Sequence, residues 1–301
     1  PPDPTELLPL WPGLPPNSPA NGIGALIEQI AEKSETTNRF HDRLISHIST
    51  PHLAVFRPAV PNGAALLIAP GGGYAFEAFD GEGYQIAHHF NAAGITCFVL
   101  RYRLPSEGWR DGRVVPLQDA MRSMRLIRYH ARHFGIDPAR LGVMGFSAGG
   151  HLAASLTTRF DETVYDAIDT ADALAVRPDF TCLMYPVITT GVGTHGGSRE
   201  RLLGAHPTAD EITATSCEKQ VSEKTPPCFI ALAGDDTIVP PVENGVAMSI
   251  ALQRAKVPSE LHVFEKGGHG FCIRKTVGKP VSAWPDLFTA WLGSREILRQ
   301  A

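Results

Sequence analysis

No apolar run in this 301-residue sequence approaches the roughly 18 residues that a membrane-spanning helix needs. The longest, GAALLIAP and ITCFVL, have the length of buried strands, so no membrane span is expected. Dense runs of one charge are also missing: 27 Lys and Arg are interspersed with 31 Asp and Glu, for a formal net charge of −4. Without a basic stripe to track phosphates, nucleic acid is not an expected partner. The five cysteines, at 97, 182, 217, 228 and 272, form no C-x-x-C pair, which removes zinc ribbons and dithiol redox motifs. Cys97 and Cys182 fall inside apolar runs and read as small core residues, whereas Cys217 and Cys228 either bridge a short loop or stay as free thiols. The chain opens at Pro1 without a charged, then apolar, leader, so an address signal is expected to be absent or already removed. The compartment stays open between export and cytoplasm.

Proline is concentrated where regular structure is not. Eight prolines in residues 1–20 forbid a helix or a central strand there, and residues 1–22 read as an extended arm wrapped on the body. Beyond the arm, HLAVF, AALLIAP, ITCFVL, LGVMGF, FTCLMY, CFIALA and ELHVF alternate with helix-period segments near 84–93, 117–134, 147 onward, 242–255 and 284–297. Strand, helix, strand is the pattern of a mostly parallel sheet with helices on both faces, and right-handed crossovers then point to a doubly wound α/β fold. With 43% hydrophobic residues the chain can bury one large core, so 1–301 is expected to be a single domain. Residues 188–216 lack strand signals and are expected to form a loop and short-helix cap over the edge of the sheet.

Within RLGVMGFSAGGHLAA (140–154) a serine stands between two glycines, after a strand-like run and before a helix of small residues. At that corner, Gly145 and Gly149 remove Cβ atoms that would clash in a sharp turn, and the helix start presents free N–H groups to a developing anion. Ser147 is therefore the expected nucleophile. A serine hydroxyl needs a base, and the base an orienting carboxylate. Both follow in chain order: GDDTIVPP after one strand run offers Asp235 and Asp236, and GGHGF after the last offers His269 as the base. Asp236 is the expected acid because its loop, with Val239 and Pro240, resembles the D-x-x-V-P pattern that follows the acid in enzymes of this chain order, and Asp235 is the alternative. The oxyanion needs preset donors. These are assigned to the amide of Gly72 or Gly73 in PGGGY and to that of Ala148. Tyr74 is expected in the pocket wall, with His151, Glu82 and His195 as weaker candidates. Asp119 with Arg122, and Asp137 with Arg140, read as structural pairing. His130 and His133 share one helix face, but the surrounding RYHARHF is not read as a metal site.

Taken together, LWPGLPP (10–16), APGGGY (69–74), VLRYRLP (99–105), PLQDAMRSMRLIRYHA (116–131), GIDPARLGVMGFSAGGHLAA (135–154), DFTCLMYPVI (179–188), GDDTIVPP and GGHGF resemble the α/β-hydrolase serine esterases, in the branch of the acetylxylan esterases and hormone-sensitive-lipase-like carboxylesterases. The lipase-like relatives usually carry histidine where this chain has Pro70, which moves it toward the acetylxylan-esterase side. The resemblance implies hydrolysis of short acyl esters, acetyl above all, on sugars such as acetylated xylan. It implies an acyl-enzyme on Ser147 and no metal or organic cofactor. A feruloyl or other carboxylesterase, and a prolyl-oligopeptidase-like peptidase, share the fold and triad order; no propeller-like repeat supports the peptidase. A non-catalytic binding module of the same fold would usually lose a triad member or the glycines.

Overall fold

The computed structural model describes residues 3–298 apart from 5, 21, 25 and 34–40. Parts of the proline-rich arm, residues 1, 2, 5 and 21, thus lie outside the described residues. The strands are β1 (Glu6–Pro9), β2 (Gln29–Glu32), β3 (Arg43–Ser46), β4 (His52–Phe56), β5 (Ala65–Ala69), β6 (Thr96–Arg101), β7 (Leu141–Phe146), β8 (Thr181–Met184), β9 (Cys228–Ala233) and β10 (Ser259–Phe264). The helices are α1 (Gln85–Asn91), α2 (Val115–Tyr129), α3 (Ala131–Phe134), α4 (Ser147–Thr158), α5 (Gly196–Leu203), α6 (Ala209–Thr215), α7 (Ala247–Arg254) and α8 (Trp284–Ser294).

Eight strands form one sheet in the order β1-β4-β6-β5-β7-β8-β9-β10. From β6 to β10 every neighbour is parallel, while β4 and β1 run antiparallel at one side. The central strands β5, β7 and β9 are buried along their whole length, which is why they read as unbroken apolar runs and not as alternating ones. Helix α1 packs on β6, α4 on β7 and β8, α7 on β10 and α8 on β9. No helix among the described residues is long and apolar enough to cross a membrane.

Among the described residues of the arm only β1 is a strand, and it takes the sheet edge, where Pro9 interrupts no central ladder; beyond it the chain bends, with turns closed by Ser18 on Pro15 and Gly22 on Pro19. Trp11 then inserts into the body and donates through its indole N–H to Asp119 at 2.8 Å. Asp119 is itself paired with Arg103, both side chains fully buried, whereas Arg122 pairs with Asp169 and Asp172. Both residues of the expected Asp119–Arg122 pair are thus structural, but each has another partner. Asp137 and Arg140 do brace the entry to β7 at 3.1 Å.

Three strands precede His52, which the apolar pattern marks as the first. The hairpin β2–β3 escaped the sequence because each strand has four residues and β2 is exposed throughout, so no burial pattern marks it. The expected helix over 117–134 is two, with His130 leaving helical geometry between α2 and α3. The excursion at 188–216 holds α5 and α6; Thr208 and Glu211 close α6 with a reciprocal capping box. All five cysteines are free, Cys217 and Cys228 being buried as thiols.

Register decides what meets at the carboxyl end of the sheet. Ala69 of β5 pairs with Gly145 of β7, so the glycine loop after β5 and the turn after β7 leave the same edge side by side. Phe264 of β10 pairs with Ala233 of β9, which sets the tandem aspartates beside the GGHGF loop.

Candidate active site

At the end of β7, Phe146 is extended and Ser147 turns to φ +53°, the left-handed region that a non-glycine residue enters only where its surroundings hold it. The flanking glycines make the turn feasible. A Cβ on Gly145 would lie 2.2 Å from the Gly149 carbonyl oxygen, and one on Gly149 would lie 2.2 Å from that of Ala69. Packed this tightly, the turn aims Ser147 Oγ at His269, 2.8 Å from Nε2.

On its other side the imidazole meets Asp236, with Nδ1 2.7 Å from Oδ2. An ionised carboxylate only accepts, so Nδ1 carries the proton and Nε2 is left to accept from the Ser147 hydroxyl. Asp236 Oδ1 accepts from the amides of Ile238 and Val239, each at 2.9 Å. Burial alone would raise this carboxyl, but the His269 bond and the two amides outweigh it and hold its pKa below the ordinary range. Asp235 acts on the backbone instead. Its Oδ1 accepts from the amides of Gly267 and Gly268 at 2.8 and 2.7 Å, pinning the loop that carries His269. Of the two aspartates left open by the sequence, the structure sets Asp236 on the imidazole.

Three glycines follow β5 and divide in role. The Gly71 amide is taken by Glu82 Oε2 at 2.7 Å. The amides of Gly72 and Gly73 have no acceptor among the described residues, and both residues line the cavity at Ser147. Gly72 sits at φ +141°, and a Cβ there would fall 2.0 Å from the Phe76 carbonyl oxygen, so only glycine fits. Ala148 is the second residue of α4, where amides have no partner inside the helix. A hydroxyl beside an oriented base, faced by amides without acceptors, can add to an acyl carbonyl and stabilise the oxyanion that results.

The cavity measures about 610 Å³ and is lined by Lys33, Gly72, Gly73, Ala75, Phe76, Ala78, Glu82, Ser147, His195, Gly197, Arg201, Ile238, His269, Gly270 and Lys275. Glu82 and His195 therefore belong to it. Glu82 is buried, its Oε1 accepting from the Tyr185 hydroxyl at 2.9 Å; burial pushes its carboxyl up despite the bonds from Gly71 and Tyr185. His195 caps α5, its Nδ1 accepting from the Ser198 amide at 3.2 Å, so Nε2 carries the proton.

Tyr74 and His151 lie elsewhere. Tyr74 takes φ +58° and turns into the body, where it is 2% exposed. Its hydroxyl donates to His151 Nδ1 at 2.8 Å, and His151 Nε2 donates to the Thr215 carbonyl at 2.8 Å. This pair ties the glycine loop to the cap, and neither residue lines the wall at Ser147. Sequence reasoning missed Arg201, Lys33 and Lys275, whose approach depends on the cap and on two distant loops; no local motif marks them. Among the described residues no group of three or more His, Cys, Asp or Glu side chains could hold a metal ion.

Sheet order, the strained serine turn and the Ser–His–Asp chain define an α/β hydrolase. The chain belongs to the alpha/beta hydrolase fold family, whose model matches residues 66–273. It is 39% identical over 235 residues to endo-1,4-beta-xylanase B of Butyrivibrio fibrisolvens, covering 78% of this chain and 35% of that one. With the acetylxylan esterase of Xylanibacter ruminicola it shares 32% identity over 260 residues, 82% of this chain and 49% of that one. It thus spans half or less of the length of both relatives. The crystal structure of an acetyl ester-xyloside bifunctional hydrolase from Caldicellulosiruptor lactoaceticus superposes with a TM-score of 0.78 at 33% identity, over 99% of this chain and 98% of that one.

Proposed function

We propose that this protein is a serine esterase that removes short acyl groups, acetyl above all, from carbohydrate substrates such as acetylated xylan. The observation that carries the reading is the continuous chain from Asp236 through His269 to Ser147, closed by the amides of Gly72 and Gly73. As Ser147 Oγ adds to the ester carbonyl, His269 Nε2 takes its proton, and Asp236 stabilises the imidazolium. The oxyanion is held by the amides of Gly72, Gly73 and Ala148, fixed before the reaction begins. Collapse expels the sugar alcohol, which leaves with the proton from His269. Water, activated by the same nitrogen, then hydrolyses the acyl-enzyme and releases the acid.

An acetyl group is supported by relatives whose names carry acetylxylan esterase and acetyl ester-xyloside hydrolase. Sugars as the alcohol are supported by the same names, and by the polar side chains around the cavity. The test is a 4-nitrophenyl ester series from acetate to octanoate, with ferulate alongside, run on the protein and on Ser147→Ala, followed by acetate release from acetylated xylan. The expected result is fastest turnover of acetate, declining with chain length and lost in Ser147→Ala. Absence of turnover on every ester would overturn the reading.

A further inference from the structure

Beyond the acyl site, the mouth of the same cavity is electrostatically one-sided. The chain carries a net charge of −4, yet Arg201, Lys33 and Lys275 all line this cavity, and no ion pair joins any of them to a carboxylate among the described residues. The single carboxylate in the lining, Glu82, is buried and held by Gly71 and Tyr185; it lies within electrostatic reach of Lys275 but forms no ion pair with it, and it does not face Arg201 or Lys33 as an ion-pair partner. A solvated surface usually intersperses its charges, and exposed cations placed around a groove without counter-ions raise the local concentration of anions.

Arg201 is anchored where it can meet such an anion. Its Nη1 donates to the carbonyls of Gly73 at 3.3 Å and Gly197 at 3.0 Å, which fixes the guanidinium over the loop that supplies the oxyanion donors. Nη2 and Nε have no acceptor among the described residues, so the donor pair that binds a carboxylate in bidentate fashion is left available. A second hollow of about 410 Å³, whose lining includes Glu200, shares Gly197 and Arg201 with the cavity, so the guanidinium borders both.

We infer that the mouth of the Ser147 cavity is a carboxylate-recognition site, and that the preferred substrate is an acyl ester on a saccharide that also carries a uronate. The inference rests on the esterase reading above and specifies its alcohol side. Arg201 grips the carboxylate, while Lys275 and Lys33 supply long-range attraction that salt screens.

The experiment compares kcat/KM for two probes, an O-acetylated xylo-oligosaccharide and the same oligosaccharide bearing one glucuronic acid substituent, with 4-nitrophenyl acetate as a neutral reference. At low ionic strength the uronate-bearing ester is expected to be preferred by about tenfold, the scale of one charge-assisted hydrogen bond. The preference should shrink as salt is raised and approach one in Arg201→Gln/Lys275→Gln, whereas Arg132→Gln, outside the cavity, leaves it in place. Because the readout is a ratio between two substrates on one enzyme, a general loss of activity in a variant does not imitate the effect, and the salt series on the unaltered protein needs no variant. Equal rates on the two oligosaccharides, or a preference that ignores salt, would overturn the inference while 4-nitrophenyl acetate turnover keeps the esterase reading. No turnover of any of the three esters would overturn both.

Discussion

Glu82 Oε2 accepts a 2.7 Å hydrogen bond from the amide of Gly71, the first of the three glycines beside Ser147. The same carboxyl accepts from Tyr185, so one buried group joins the oxyanion loop to the segment after β8. Both bonds spend its acceptors on positioning, while the amides of Gly72 and Gly73, at the cavity, have no acceptor among the described residues.

Glu82→Ala is expected to lower kcat on 4-nitrophenyl acetate on the order of 10- to 10²-fold, with a smaller change in KM, because the loop that presents two oxyanion donors loses its anchor. Glu82→Gln keeps a carbonyl for the Gly71 amide and should recover most of the rate. Steady-state kinetics of both variants check this; an Ala variant at full kcat would show that the loop holds its shape unaided.

The tandem aspartates should separate in kinetics. Asp236→Asn removes the acceptor that fixes the His269 tautomer and is expected to lower kcat by about 10² to 10⁴. Asp235→Asn weakens only the bonds to Gly267 and Gly268, so its loss should stay below about tenfold while the loop becomes more sensitive to heat. Single-turnover rates at 25 °C and activity half-lives on warming distinguish the two.

His151 couples stability to pH. Burial moves its pKa down to about 4 from 6.5, and neutral geometry, accepting from Tyr74 and donating to Thr215, suits that site. The unfolded chain takes up a proton near pH 6.5 that the folded one refuses until about pH 4. Below 6.5 the unfolded state therefore binds more protons, and stability should fall as pH drops through this window, by at most about 3 kcal/mol. Urea midpoints of the protein and of His151→Gln, at pH 7.5 and 5, should converge at the lower pH if this histidine carries the effect.

Asp119→Ala strands Arg103 as a buried charge and takes the acceptor from Trp11. A loss of about 3–5 kcal/mol is expected from breaking one side of a buried pair. Equilibrium unfolding measures it, and a loss under 1 kcal/mol would mean that neutral acceptors such as Gln118, which already accepts from Arg103 at 3.1 Å, suffice to hold the guanidinium.

The strands that build the centre of the sheet were legible because parallel strands buried on both faces read as short unbroken apolar runs. The hairpin β2–β3 was not, since each strand has only four residues and β2 is exposed throughout, which leaves no periodicity. Ser147 and the tandem aspartates were legible for a related reason, each following closely on such a run, and His269 because it stands in a glycine loop after the last strand; their chain order is constrained by the sheet. Tyr74 misled the sequence reading because adjacency to the glycines says nothing of direction, and a left-handed turn at its own backbone sends the ring inward.

By itself the sequence determined the α/β alternation, the strained corner at Ser147 and the order in which acid and base return to it, all of which depend on residues near one another in the chain. Which aspartate reaches the imidazole, which glycine amide is left for substrate, and that Lys33, Arg201 and Lys275 gather at one mouth were decided by the tertiary structure alone. Those outcomes hang on the register between β5 and β7 and between β9 and β10, and on where the cap and the loops settle. Hydrogen bonds and charges act over a few ångströms of space, and the chain brings such partners together from positions up to hundreds of residues apart.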